Sequence, residues 1–129
     1  MAALCGLTAG CSSSNGPAIP VEGRVSYHSA PLAGGTIVFI PDASRGSSGP
    51  LAHASIQADG SYHLQTEGAT GAAPGWYRVT VVAVEGFSSS GGQYAPRSLL
   101  PEKYRDPDLS GLACEVKPGR ENKINFNLD

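Results

Sequence analysis

Ala52-His53-Ala54-Ser55-Ile56-Gln57-Ala58-Asp59-Gly60-Ser61-Tyr62-His63-Leu64-Gln65 reads as two strands and a turn, and its pairing can be worked out from side-chain chemistry. A two-residue loop at Asp59-Gly60 pairs residues whose numbers sum to 119, which sets His63 opposite Ile56 and Leu64 opposite Ser55. A three-residue loop, Ala58-Asp59-Gly60, gives a sum of 118. Ala52, Ala54, Ile56, Tyr62 and Leu64 then share one face, and His53, Ser55, Gln57, Ser61, His63 and Gln65 share the other. Only the second register separates apolar from polar, and a slip of one residue would turn every side chain over. A three-residue hairpin ends on a left-handed residue, which Gly60 supplies.

The same alternation recurs outward from this hairpin. A strand over 19–27 turns Val21, Gly23, Val25 and Tyr27 to one side and Glu22, Arg24 and Ser26 to the other. The strand over 35–40 points Ile37 and Phe39 inward and stops at Pro41. The longest, 75–85, sets Tyr77, Val79, Val81 and Ala83 against Arg78, Thr80, Val82 and Val84. Its second face is half apolar, so it is expected in a central, partly covered position. Strands over 112–117 and 122–128 follow, with Leu112, Cys114, Val116, Ile124, Phe126 and Leu128 inward and a turn at Lys117-Pro118-Gly119-Arg120. Between the 75–85 and 112–117 strands lies a long connection, 86–111, in which Leu99 to Tyr104 is expected to form one helical turn with Pro101 at its first position. Seven short strands in about 110 residues predict an all-β fold, a seven-stranded antiparallel β-sandwich.

Composition agrees. The chain has 129 residues, 17 of them Gly and 10 Pro, which favours many turns over long helices. A net charge of −2 argues against the clustered cationic surface that nucleic acid requires, so no nucleic-acid partner is expected. Of the three cysteines only Cys114 falls in the folded region, where it reads as a small buried hydrophobe.

The other two cysteines precede the first strand. Leu7-Thr8-Ala9-Gly10-Cys11 resembles a bacterial lipobox, in which the cysteine receives lipid and everything before it is removed. The resulting division is a signal peptide at 1–10, a Ser/Gly/Pro tether at 11–18 anchored through Cys11, and a β domain at 19–129. Met1 to Gly10 carries no Lys or Arg, which a signal's first region requires, so the written signal is expected to be truncated. No run of 18 apolar residues exists to make a spanning helix. The implied address is a bacterial cell envelope, with a palmitate-type anchor and the domain facing periplasm or exterior.

The order of motifs resembles the carboxypeptidase regulatory-like domain, a transthyretin-like (prealbumin-like) family. The matching residues are Val21-Glu22-Gly23-Arg24-Val25, Pro31-Leu32-Ala33-Gly34-Gly35-Thr36-Ile37-Val38-Phe39, Ala58-Asp59-Gly60-Ser61-Tyr62 and Pro74-Gly75-Trp76-Tyr77-Arg78-Val79-Thr80-Val81. Leu100-Pro101-Glu102-Lys103-Tyr104 with Ser110-Gly111-Leu112 is similar to the version in small bacterial envelope lipoproteins. The resemblance covers 19–128 and implies a prealbumin-like Greek key with a non-catalytic accessory role. The fold also includes hydroxyisourate hydrolases, whose Tyr-Arg-Gly-Ser tail is replaced here by Asn125-Phe126-Asn127-Leu128-Asp129, so that activity is not carried over.

Candidate chemistry is sparse. His53 and His63 are diagonal neighbours on the polar face, close enough to share a metal but short of zinc's usual three or four protein ligands. Asp106-Pro107-Asp108-Leu109-Ser110-Gly111 starts like a calcium loop, but Lys117 stands where the bidentate Glu belongs, so a capped turn is expected. Gly86-Phe87-Ser88-Ser89-Ser90 lacks the final Gly of a nucleophile elbow and the helix that would follow it. Trp76, Phe87 and Tyr94, at or near loops, are candidate ligand-contact aromatics. The resulting expectation is a monomeric, non-enzymatic binding or scaffolding module without catalytic residue, cofactor or metal, working through the loops 41–51, 66–75 and 86–111. Its partner would be an envelope protein or a glycan. The alternatives are a metal-dependent or hydrolase-like site at His53 and His63, and a purely structural envelope component.

Overall fold

The computed structural model describes residues 18–32, 34–85, 97, 98 and 100–129. The strands are β1 (Val21–Tyr27), β2 (Ala30–Pro31), β3 (Thr36–Pro41), β4 (Ala52–Ser55), β5 (Ser61–His63), β6 (Gln65–Thr66) and β7 (Ala69–Thr70). They continue as β8 (Gly75–Val82), β9 (Val84–Glu85), β10 (Arg97–Ser98), β11 (Ala113–Val116), β12 (Asn122–Lys123) and β13 (Phe126–Leu128). Two 3-10 turns, Ala43–Arg45 and Glu102–Arg105, are the helical elements among the described residues. The fold is all-β, as the alternation predicts. Each expected strand region holds at least one element, and β2, β7 and β10 lie in stretches read as connections.

The larger sheet runs β11-β8-β3-β4-β6-β7, every pairing antiparallel. β8 lies between β11 and β3, so the half-apolar second face of its sequence matches a central strand. The other sheet is built around β1. β5 and β2 pair with it antiparallel, while β12 and β13 pair parallel in one continuous register, Val21 beside Asn122 and Val25 beside Phe126. The sheet is therefore mixed, which corrects the expectation of antiparallel pairing throughout. Turn signals report only hairpin neighbours, and these partners lie some hundred residues apart in the chain. β9 and β10 form a separate antiparallel pair.

The opening hairpin is both confirmed and corrected. His53 pairs with Gln65, and Gln57 N donates to Ser61 O at 2.8 Å, both in the 118 register. Its faces separate as read, with Ala52, Ala54, Ile56, Tyr62 and Leu64 buried and His53, Ser55, Gln57, His63 and Gln65 exposed. Between those two points the chain leaves β4. Ser61, Tyr62 and His63 pair with Arg24, Gly23 and Glu22 of β1, so His63 faces Glu22 across the ladder, where Ser55 had been expected. The segment 61–66 thus bridges the sheets: β5 serves one and β6 the other. Gly60 makes this departure possible. Its φ is +87°, and a Cβ there would lie 2.8 Å from Val25 O.

Both larger sheets contribute to one core. Phe39 of β3 lies 5.8 Å from the Tyr77 ring, 6.2 Å from Tyr62 and 6.0 Å, edge-on, from Phe126. Such aromatic pairs contribute about 0.5–1.5 kcal/mol each beyond area burial. Val21, Val25, Ile37, Val79, Val81, Val116 and Leu128 fill the space around them. The Tyr62 hydroxyl reaches across to donate to Ile124 O at 2.5 Å, and Tyr77 donates to Ala73 O at 2.7 Å, so neither buried phenol is left unpaired.

Two hairpins escaped the sequence reading. His28-Ser29 joins β1 to β2 and Glu67-Gly68 joins β6 to β7, each a two-residue turn with both central φ values positive. This is the primed-turn geometry that matches strand twist. Pro101 sits one residue earlier than expected, as the cap preceding Glu102–Arg105.

Candidate functional site

β1 sends Glu22 and Arg24 outward, and its pairings put complementary groups beside them. Register sets His63 on one side of Glu22 and Lys123 on the other. His63 Nδ1 lies 3.2 Å from Glu22 Oε1, and Lys123 Nζ lies 3.9 Å from Glu22 Oε2. Arg24 sits 3.8 Å from Asp59 Oδ2. Asp59 is fixed in turn by Ser61, whose N–H and hydroxyl donate to it at 3.0 and 2.6 Å. These bonds, the hydroxyl first, hold the Asp59 carboxyl below the usual carboxylate range. Together the groups floor an open polar groove of about 440 Å³. With side chains 38–74% exposed, such ion pairs contribute little to stability, so their charges remain available to a ligand.

His63 also lines a second groove, of about 250 Å³, with His53, Ser55, Gln57 and Gln65. The structure thus brings together the two histidines singled out from sequence. It adds Glu22, read from sequence only as a polar-face residue, and Lys123, which the sequence reading did not single out. Their signal was opposite charge at outward positions of strands whose pairing could not be read.

A third cluster surrounds Asp42, which is buried at the end of β3. Its carboxylate accepts from Ser44 N and Oγ at 3.0 and 2.6 Å, and Arg78 Nε lies 3.4 Å away. The Ser44 hydroxyl first, then Arg78, lower its pKa against the opposing cost of desolvation. Arg78 also pairs with Asp108. The stretch 106–111 is therefore a capped turn: Asp106 accepts from the Asp108 N–H at 2.8 Å and Ser110 Oγ donates to Val79 O at 2.7 Å. Asp108 and Ser110 are engaged within the fold, as the turn reading expects.

Trp76 is half-buried at the start of β8, and the Arg45 guanidinium covers its ring at 4.3 Å. The Trp76 backbone N–H donates to Ser47 Oγ at 2.8 Å. Trp76 therefore seals the loop after β3 rather than standing bare, and a ligand stacking on that face would have to displace Arg45. Phe87, Tyr94, Cys11 and the stretch 86–90 lie outside the described residues. Cys114 is partly buried against the core, and burial pushes its thiol up to about 12. Among the described residues no three His, Cys, Asp or Glu side chains gather to hold a metal. No described helix is long and apolar enough to cross a membrane.

No protein-family model and no curated protein matches the chain. Among solved structures it is similar to a 9R-lipoxygenase from Cyanothece PCC8801, with a TM-score of 0.45 and 11% identity, over 94% of this chain but 18% of that one. It is also similar to the dioxygenase domain of a dioxygenase carbohydrate-binding protein fusion from the cellulolytic bacterium Streptomyces sp. SirexAA-E. There the TM-score is 0.37 and the identity 24%, over 92% of this chain and 84% of that one. Both likenesses are too weak to transfer a fold or an activity.

Proposed function

We propose that the chain is a non-catalytic, lipid-anchored module of a bacterial cell envelope that binds an envelope protein or glycan. In this reading its two sheets form the seven-stranded Greek-key sandwich of the carboxypeptidase regulatory-like family, and Cys11 carries the lipid. The observation that supports it most is the open groove over Glu22, Arg24, His63 and Lys123, a mixed-charge face suited to recognition. Ile19 is bridged to Ala72 by hydrogen bonds of 2.8 and 3.0 Å, so the fold takes hold of the chain at that point. Between it and Cys11 runs the Ser/Gly/Pro tether.

The test is a pull-down from a bacterial envelope extract, alongside a glycan array. The expected result is a retained partner that Arg24→Glu with Lys123→Glu releases. Retention of nothing would contradict the reading in favour of a purely structural envelope component.

A further inference from the structure

We infer that His53 and His63 form a two-imidazole chelating site for a late first-row divalent cation, with copper(II) held most tightly. His53 pairs directly with Gln65, and His63 precedes Gln65 by two residues on the same exposed face. His63 itself pairs with Glu22 of β1, so it approaches His53 from the point where the chain passes from β5 into β6. Both rings line the same 250 Å³ groove, along with Ser55, Gln57 and Gln65, whose side-chain oxygens are hard donors within the same wall.

The second supporting feature lies behind His63. Its Nδ1 is 3.2 Å from Glu22 Oε1. A carboxylate on one imidazole nitrogen fixes the ring's tautomer and leaves Nε2 with its lone pair, as in carboxylate–histidine–metal triads. His63 lines both grooves, with Glu22 in one and His53 in the other. Lys123 Nζ lies 3.9 Å from the other Glu22 oxygen.

The donor set selects the ion. A closed zinc centre takes three or four protein ligands, and none such is gathered among the described residues. Two imidazole nitrogens completed by water or amide oxygen suit a tetragonal ion, and affinity across the first row peaks at copper(II).

The test is copper(II) titration of the full chain carrying Cys5→Ser and Cys11→Ser, so that those thiols do not compete. It is read by affinity against a glycine competitor and by electron paramagnetic resonance. The expected result is one copper per chain with an axial spectrum and hyperfine structure from two nitrogens. His53→Ala and His63→Ala should each abolish the two-nitrogen pattern and weaken binding. Glu22→Gln should keep the pattern and weaken affinity by about tenfold, as loss of an outer-shell partner does. His53 and His63 are exposed, so these variants keep the fold. Copper binding that survives His53→Ala unchanged, or that is lost instead in His28→Ala, would overturn the proposal.

Discussion

Replacing Gly23 with Ala is the sharpest test of how β1 meets the C-terminal strand. A Cβ at this position would lie 1.8 Å from Ile124 O and 2.6 Å from Ile124 C, both backbone atoms that no rotamer change can move. An ordinary C···O contact needs about 3.3 Å, so the two chains must separate by roughly 1.5 Å. Two hydrogen bonds sit at that point: Ile124 N to Glu22 O at 2.8 Å and the Tyr62 hydroxyl to Ile124 O at 2.5 Å. Losing them costs about 1 kcal/mol each, and forced separation of packed elements adds about 1–3 kcal/mol. The lowered entropy of the unfolded chain offsets only about 0.4–1 kcal/mol. A net loss of about 2–4 kcal/mol is a large part of the 5–15 kcal/mol typical of a domain, and lowers Tm by roughly 8–16 °C. Urea and thermal unfolding followed by circular dichroism measure this directly. A Gly23→Ala protein with the parent's midpoint would refute the parallel pairing of β1 with the chain through Ile124.

Tyr62→Phe removes the donor to the partly buried Ile124 O, so unfolding experiments should show a loss of about 1 kcal/mol. In the double variant with Gly23→Ala the two losses should sum to less than their separate values, because both break the same bond. Asp42 and Asp59 have pKa values held below the usual carboxylate range, so they bind protons less readily folded than unfolded. Their contribution is present above the unfolded value of about 3.9 and is lost as pH falls through the folded one. Urea midpoints should hold from pH 7 to 5 and decline below pH 4, with a shallower decline in Asp42→Asn. An equally steep decline in that variant would contradict the role given to Asp42. A thiol at about 12 leaves Cys114 only about one thiolate in ten thousand at pH 8. Mass spectrometry should therefore find it unalkylated by iodoacetamide until denaturant is added, and prompt labelling of the folded protein would contradict its packing.

Much of this architecture was legible because each strand carries its own burial code. The stretch from Ala52 to Gln65 disclosed its faces and its register, since only one pairing kept Ile56 and Tyr62 off the polar side. What stayed hidden was partner choice over distance. Nothing local in Ser61-Tyr62-His63 says that it leaves β4 for β1, and nothing in Phe126-Asn127-Leu128 says that it runs parallel to Val25-Ser26-Tyr27. The site followed the same division. His53 and His63 were linked through a hairpin and the structure brings them into one groove. Glu22 and Lys123 join His63 only through pairings of β1 with β5 and β12, so their charges could be placed outward but not together. Trp76 read as an exposed aromatic because the Arg45 that covers it belongs to a Ser/Gly loop with no periodicity to place it.

The central claim, a recognition domain held at a bacterial membrane through Cys11, is tested most directly by lipid labelling. Cells expressing the protein from its native gene would be fed a palmitate analogue and fractionated, beside cells expressing Cys11→Ala. The account predicts that the parent protein takes up label and sediments with the membranes, and that Cys11→Ala does neither. A Cys11→Ala protein that is still labelled and still membrane-bound would contradict it.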